Sequence, residues 1–128
     1  MVFMAHKKAI DEASSLVMEL NRDSLGNWNP QTLLTHLHSS LETRPGAAYF
    51  ESYIQTLQRR LGALQEIRDI SYEIELGSPW QLYSSGSASY NMKATFSNGP
   101  ANIRIRLIRE NGHWLVSQYS VMSALMAA

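Results

Sequence analysis

Apolar residues fall into two periods along the chain, and the change from one to the other divides it. In the first half the spacing is three and four. Ile10, Ala13, Leu16, Val17 and Leu20 recur at that interval and predict a first helix. Residues 21–29, followed by Pro30, break it. A second helix is predicted from Asn29, which suits a cap, and Pro30, which suits the first helical position; Leu33, Leu34, Leu37 and Leu41 form its stripe, and "TRPG" at 43–46 ends it. The third is the clearest. Tyr49, Phe50, Tyr53, Ile54, Leu57, Leu61 and Leu64 line one side, with Glu51, Gln55, Arg59 and Arg60 opposite, and Gly62 marks its end or a close contact.

From about Ile67 the period becomes two, the mark of half-buried strands. Ile70, Tyr72, Ile74 and Leu76 alternate with Ser71, Glu73 and Glu75 before a turn at "GSPW". Ala88, Tyr90, Met92, Ala94 and Phe96 form the next apolar face, "SNGP" a hairpin connection, and Ala101, Ile103, Ile105 and Leu107 the third. Asn111-Gly112 is the strongest hairpin signal, because both residues tolerate positive φ. A last strand runs from about His113 to Met122, and the tail "SALMAA" is too short to add an element. The prediction is a single domain over residues 1–128, α+β in class, with three N-terminal helices packed on a four-stranded antiparallel sheet.

Composition adds mainly exclusions. Lys and Arg balance Asp and Glu at 11 each, so no bulk field favours nucleic acid. There is no cysteine, which removes disulfides, thiolate metal sites and a cysteine nucleophile. No window approaches the roughly 18 apolar residues of a membrane span. A soluble protein is expected, cytoplasmic as the chain stands, periplasmic or secreted if a leader was removed.

The helix ending "LQRRLGAL" and the closing hairpin "NGHWLVSQYSV" carry a resemblance, through Leu61, Gly62, Gly112, Trp114 and Tyr119. In element order and in these positions the chain resembles the NTF2-like (cystatin-like) superfamily, nearest to small bacterial domains of unknown function. The resemblance implies a curved sheet wrapped around a helix as a cone, an apolar pocket inside it, and frequent dimers through the sheet. It also implies two kinds of member, cofactor-free isomerases, dehydratases or cyclases, and binding or assembly modules without chemistry.

Counting outward from a two-residue turn at Asn111-Gly112 pairs Arg109 with Trp114, Leu107 with Val116 and Ile105 with Gln118. The inward set is then Ile103, Ile105, Leu107, Trp114 and Val116. The outward set is Arg104, Arg106, Ile108, Leu115, Ser117, Tyr119 and Val121; a bulge would shift this register. The outward set mixes apolar, aromatic and Arg side chains, as partner surfaces do. We take Arg104, Arg106, Leu115, Tyr119, Val121 and Lys93 as the candidate interface, extended by Glu73 and Glu75. The bland alternative is a solvated face with weak charge pairs.

Inside the cone the candidate ligand pocket is Tyr53, Tyr72, Tyr90, Met92, Trp114 and Gln118, suited to a small apolar ligand. It holds no carboxylate and no histidine, so no catalytic residue is assigned. An enzyme reading would rest on a pocket tyrosine or Asp69. His36 and His38, if helical, point about 200° apart and do not share an ion. No metal and no cofactor is expected, and the six methionines read as core filler. The expected function is non-catalytic binding: a homodimer or another protein docked on the outer sheet face. The alternatives are a cofactor-free enzyme and an immunity or secretion-assembly protein with a heterologous partner.

Overall fold

A computed structural model describes residues 2–41, 46–78, 80 and 83–126. Helix α1 (Val2–Asn21) buries Ala13, Leu16, Val17 and Leu20 of the stripe that its spacing predicts, with Ala9 fully buried in place of the expected Ile10, which is half-buried. It runs into a π-helical turn, Arg22–Gly26, which tucks Ser24 and Leu25 into the core. Helix α4 (Ala47–Leu61) buries Phe50, Ile54, Leu57 and Leu61 and leaves Tyr49 exposed. It stops at Gly62, whose φ of +77° is easy only for glycine and whose missing Cβ makes room for the Ser97 hydroxyl. Asn98 then closes the contact, its N–H donating to Leu61 O at 3.0 Å and its side chain to Arg60 O at 3.0 Å.

The second predicted helix is broken up. Asn29 does accept from Gln31 N–H at 3.0 Å, but helix α2 (Gln31–Thr35) is one turn and a half long, and α3 (Ser39–Leu41) is a single turn. Between them the chain turns at His36 and Leu37 bridges to the last strand. Val116 N–H donates to His36 O at 2.6 Å, and His38 N–H donates to Val116 O at 2.8 Å. A strand edge with unpaired amides outcompetes the helical preference of the leucine stripe, so Leu37 enters the core from this bridge. The predicted stop at 43–46 lies outside the described residues except for Gly46.

Strands β1 (Leu64–Leu76), β2 (Gly86–Phe96), β3 (Gly99–Glu110) and β4 (His113–Met122) follow in order 1-2-3-4, forming a curved antiparallel meander. Asn111 and Gly112 make the last turn at φ of 52° and 78°. The tail adds one 3-10 turn, Ala124–Met126, whose Leu125 carbonyl accepts from Arg60 at 3.4 Å. On the inner face Ala88, Tyr90, Met92, Ala94 and Phe96 join Ile103, Ile105, Leu107, Trp114 and Val116 in one core with the helices. The Trp114 indole N–H donates to Ala9 O at 2.8 Å and Tyr90 Oη meets Ser14 Oγ at 2.9 Å, which pins α1 across that face.

The register of β4 corrects the sequence reading. Leu107 faces Val116, but Arg106 faces Gln118 and Ile105 faces Tyr119, so Ser117 is an extra residue in β4. The bulge reverses the alternation beyond it. Tyr119 and Val121 are each 4% exposed and belong to the core, not to the outer face. Gln118, expected inside, turns to the half-exposed outer side, where its amide donates to Ser120 Oγ at 3.2 Å.

Candidate functional site

With the core on one side, the other face of the sheet is left uncovered by the described helices. Cross-strand pairing arranges it in rows: Arg68, Lys93 and Asn102; then Ser71, Asn91 and Arg104; then Glu73, Ser89, Arg106 and Gln118; then Glu75, Ser87, Ile108 and Leu115. Of the expected interface, the structure brings together Lys93, Arg104, Arg106 and Leu115, and removes Tyr119 and Val121. The rows run from basic at one end to acidic at the other, with the Ile108–Leu115 pair as a half-buried apolar step. Arg104 Nε donates to Asn91 Oδ1 at 3.0 Å, which fixes its guanidinium over β2. Arg106 is exposed and lies between two adjoining depressions. One of 270 Å³ is bordered by Ser71, Glu73, Asn91 and Arg104, and one of 420 Å³ by Glu75, Ile108 and Ser117.

The expected pocket does not assemble as one cavity. Tyr90, Met92 and Trp114 are buried in packed core, while Tyr53 is half-buried and tied to the edge of β4. Its hydroxyl accepts from Val121 N–H at 2.8 Å and lies 3.3 Å from Val121 O. Tyr72 shares the inner face and stacks on Tyr90 with ring centroids 5.4 Å apart, yet it lies beyond the helices and stays exposed. Within the apolar core lies a small polar cluster that the sequence did not signal. Tyr119 Oη lies 3.3 Å from Asn21 Oδ1, and Asn21 Nδ2 donates to Met92 Sδ at 3.3 Å. Ser24 Oγ is fully buried beside the Tyr119 phenol. Burial pushes the Tyr119 phenol well above its ordinary range, and desolvation raises Tyr53 and Tyr90 as well. A phenol held in its neutral form donates and accepts hydrogen bonds but is a poor general base.

No family model, curated protein or solved structure matches this chain. Function has to come from the chemistry of its own surfaces.

A cleft of 760 Å³ lies elsewhere, between the polar side of α1 and the start of β4. Lys8, Asp11, Ser15, His36, His113 and Leu115 line it, a mixed set without one sign of charge. Behind it sits a second group missed by the sequence reading. Arg109 is buried, its Nε donating to Tyr83 O at 2.7 Å and its Nη1 to Glu12 Oε2 at 3.4 Å, with the guanidinium 5.3 Å from the Trp114 ring centre. The signal was available: Arg109 continues the inward alternation of Ile103, Ile105 and Leu107. These bonds and the ring contact fasten α1 to the last hairpin. His36 Nδ1 lies 2.8 Å from Thr32 O and His38 Nε2 lies 3.1 Å from Glu110 Oε1, so these histidines have separate partners. Among the described residues no group of three or more His, Asp or Glu could hold a metal ion.

Proposed function

We propose that this is a binding and assembly domain of the NTF2-like kind, which docks a protein partner on the outer face of its sheet. The observation that carries the reading is the uncovered face itself: Arg104 and Arg106 flanked by depressions, beside the apolar pair Ile108 and Leu115. Arg side chains are among those that carry most of the energy at the centre of protein interfaces, and the apolar neighbours exclude water around them. The basic-to-acidic order of the rows fits a partner with the reverse order, either a second copy turned by a two-fold or a heterologous protein.

The enzyme alternative would use a pocket tyrosine or Asp69. Asp69 stands exposed on a bulge of β1 in an ion pair with Arg68 at 3.0 Å, outside the core that holds the tyrosines, and burial keeps those phenols neutral, which makes them poor general bases. Among the described residues no helix is long and apolar enough to cross a membrane.

The test is a paired capture experiment from the native host, using the wild type and Arg106→Glu/Leu115→Asp as baits. A partner held by the first and lost from the second, with both folded, supports the reading. Identical captured sets would overturn it.

A further inference from the structure

The two edges of the sheet are finished differently. That of β4 is covered, because residues 36–38 pair with Val116 and the Tyr53 hydroxyl occupies Val121. That of β1 has no such cover among the described residues. The ladder to β2 continues through Gly77 N–H to Ser85 O at 2.9 Å. Antiparallel alternation then turns Ser71, Glu73 and Glu75 toward β2, and points the N–H and C=O groups of Tyr72, Ile74 and Leu76 away from the sheet. Along the same stretch Ile70 and Tyr72 are each 55% exposed, although both lie on the apolar side. Met18 is exposed on the side of α1 that carries Ser14, the contact of Tyr90. A free edge flanked by exposed apolar side chains is a template for strand addition.

We propose that a second copy of this chain pairs antiparallel along the free edge of β1, about a two-fold axis at Tyr72. The register follows from charge. With Tyr72 opposite Tyr72 of the second copy, Ser71 faces Glu73 and Ile70 faces Ile74, the residues whose free backbone groups and apolar side chains need partners. Beyond the bulge at residues 69 and 70, Arg68 comes opposite Glu75, once from each copy. Moving the axis one residue toward the C-terminus puts Glu73 against Glu73, and one residue toward the N-terminus puts Glu75 against Glu66. Like charges directly opposite are unfavourable, so the Tyr72 register is selected. The pairing is independent of the outer-face reading, and it would join two outer faces into one surface of eight strands. It buries a strand and a narrow apolar stripe, so it belongs with small, reversible interfaces.

The experiment is sedimentation of the full chain over rising concentration, with amide hydrogen exchange on the same samples. The wild type is expected to move from 14.5 kDa toward twice that mass, with slower exchange at Tyr72, Ile74 and Leu76. Tyr72→Pro removes a donor that faces away from β2 and is expected to weaken the dimer at least about tenfold while leaving the ladder intact. Glu75→Arg is expected to weaken it, and Arg68→Glu/Glu75→Arg to restore it. If Tyr72→Pro does not fold, the charge pair and the exchange pattern decide. A wild type that stays at 14.5 kDa at the highest concentration reached overturns the proposal. So does a dimer that survives Tyr72→Pro and is lost in Leu115→Asp, which would place the contact on the outer face.

Discussion

Exchanging Gln118 with Tyr119 and Ser120 with Val121 tests what holds the two faces of this protein apart. Ser117 is the extra residue in β4, and beyond it Tyr119 and Val121 point inward while Gln118 and Ser120 point outward. In the variant Gln118→Tyr/Tyr119→Gln/Ser120→Val/Val121→Ser the same bulge would turn two polar side chains into the core and two apolar ones into water. Each apolar side chain so exposed forfeits roughly 1.5–3 kcal/mol. Each polar side chain so buried costs roughly 1–3 kcal/mol. Together that is on the order of 5–12 kcal/mol, comparable with the whole stability of a small domain. The exchange also takes the phenol away from Asn21 at the end of α1. Urea denaturation followed by circular dichroism should therefore show no cooperative transition for the exchanged variant, whereas Ser117→Ala should stay within about 1 kcal/mol of the wild type. An exchanged variant that unfolds cooperatively at nearly the wild-type midpoint would refute the assignment of faces.

Two further outcomes follow from the buried polar groups. Arg109→Met removes the donors to Tyr83 O and Glu12 and the contact with Trp114, and should cost about 2–4 kcal/mol in denaturant titrations. Glu12→Gln, more exposed, should cost much less. The Tyr119 phenol, raised above its ordinary value of 10.0 by burial, stabilises the fold fully below pH 10 and loses that contribution as pH rises further. Tyr119→Phe should accordingly show a shallower fall in stability above pH 10 than the wild type, by chemical denaturation across that range.

The order of elements was legible because β2 and β3 keep an unbroken period of two, from Ala88 to Arg109, around a short hairpin turn. Even the bulge left a trace: Trp114, Val116, Tyr119 and Val121 are spaced two, three and two. Local pattern could not show that Leu37 would leave its helix, since that depends on the amide of Val116 needing a partner from a distant segment. Nor could alternation show that the apolar side of β1 would stay uncovered. Periodicity assigns a side chain to a face, and the length and placement of the helices decide whether that face meets anything. The outer face was half legible for the same reason. Arg104, Arg106, Lys93 and Leu115 lie on either side of the turn or before the bulge, whereas Tyr119 and Val121 lie beyond it.

The central claim, that the outer sheet face receives a protein, is most directly tested by in-cell photo-crosslinking in the native host. A photoreactive residue replaces Leu115, with one at exposed Gln55 on α4 as the control. The account predicts a discrete adduct from position 115 that disappears with Arg106→Glu and is absent from position 55. Adducts from position 55 with none from position 115 would contradict it.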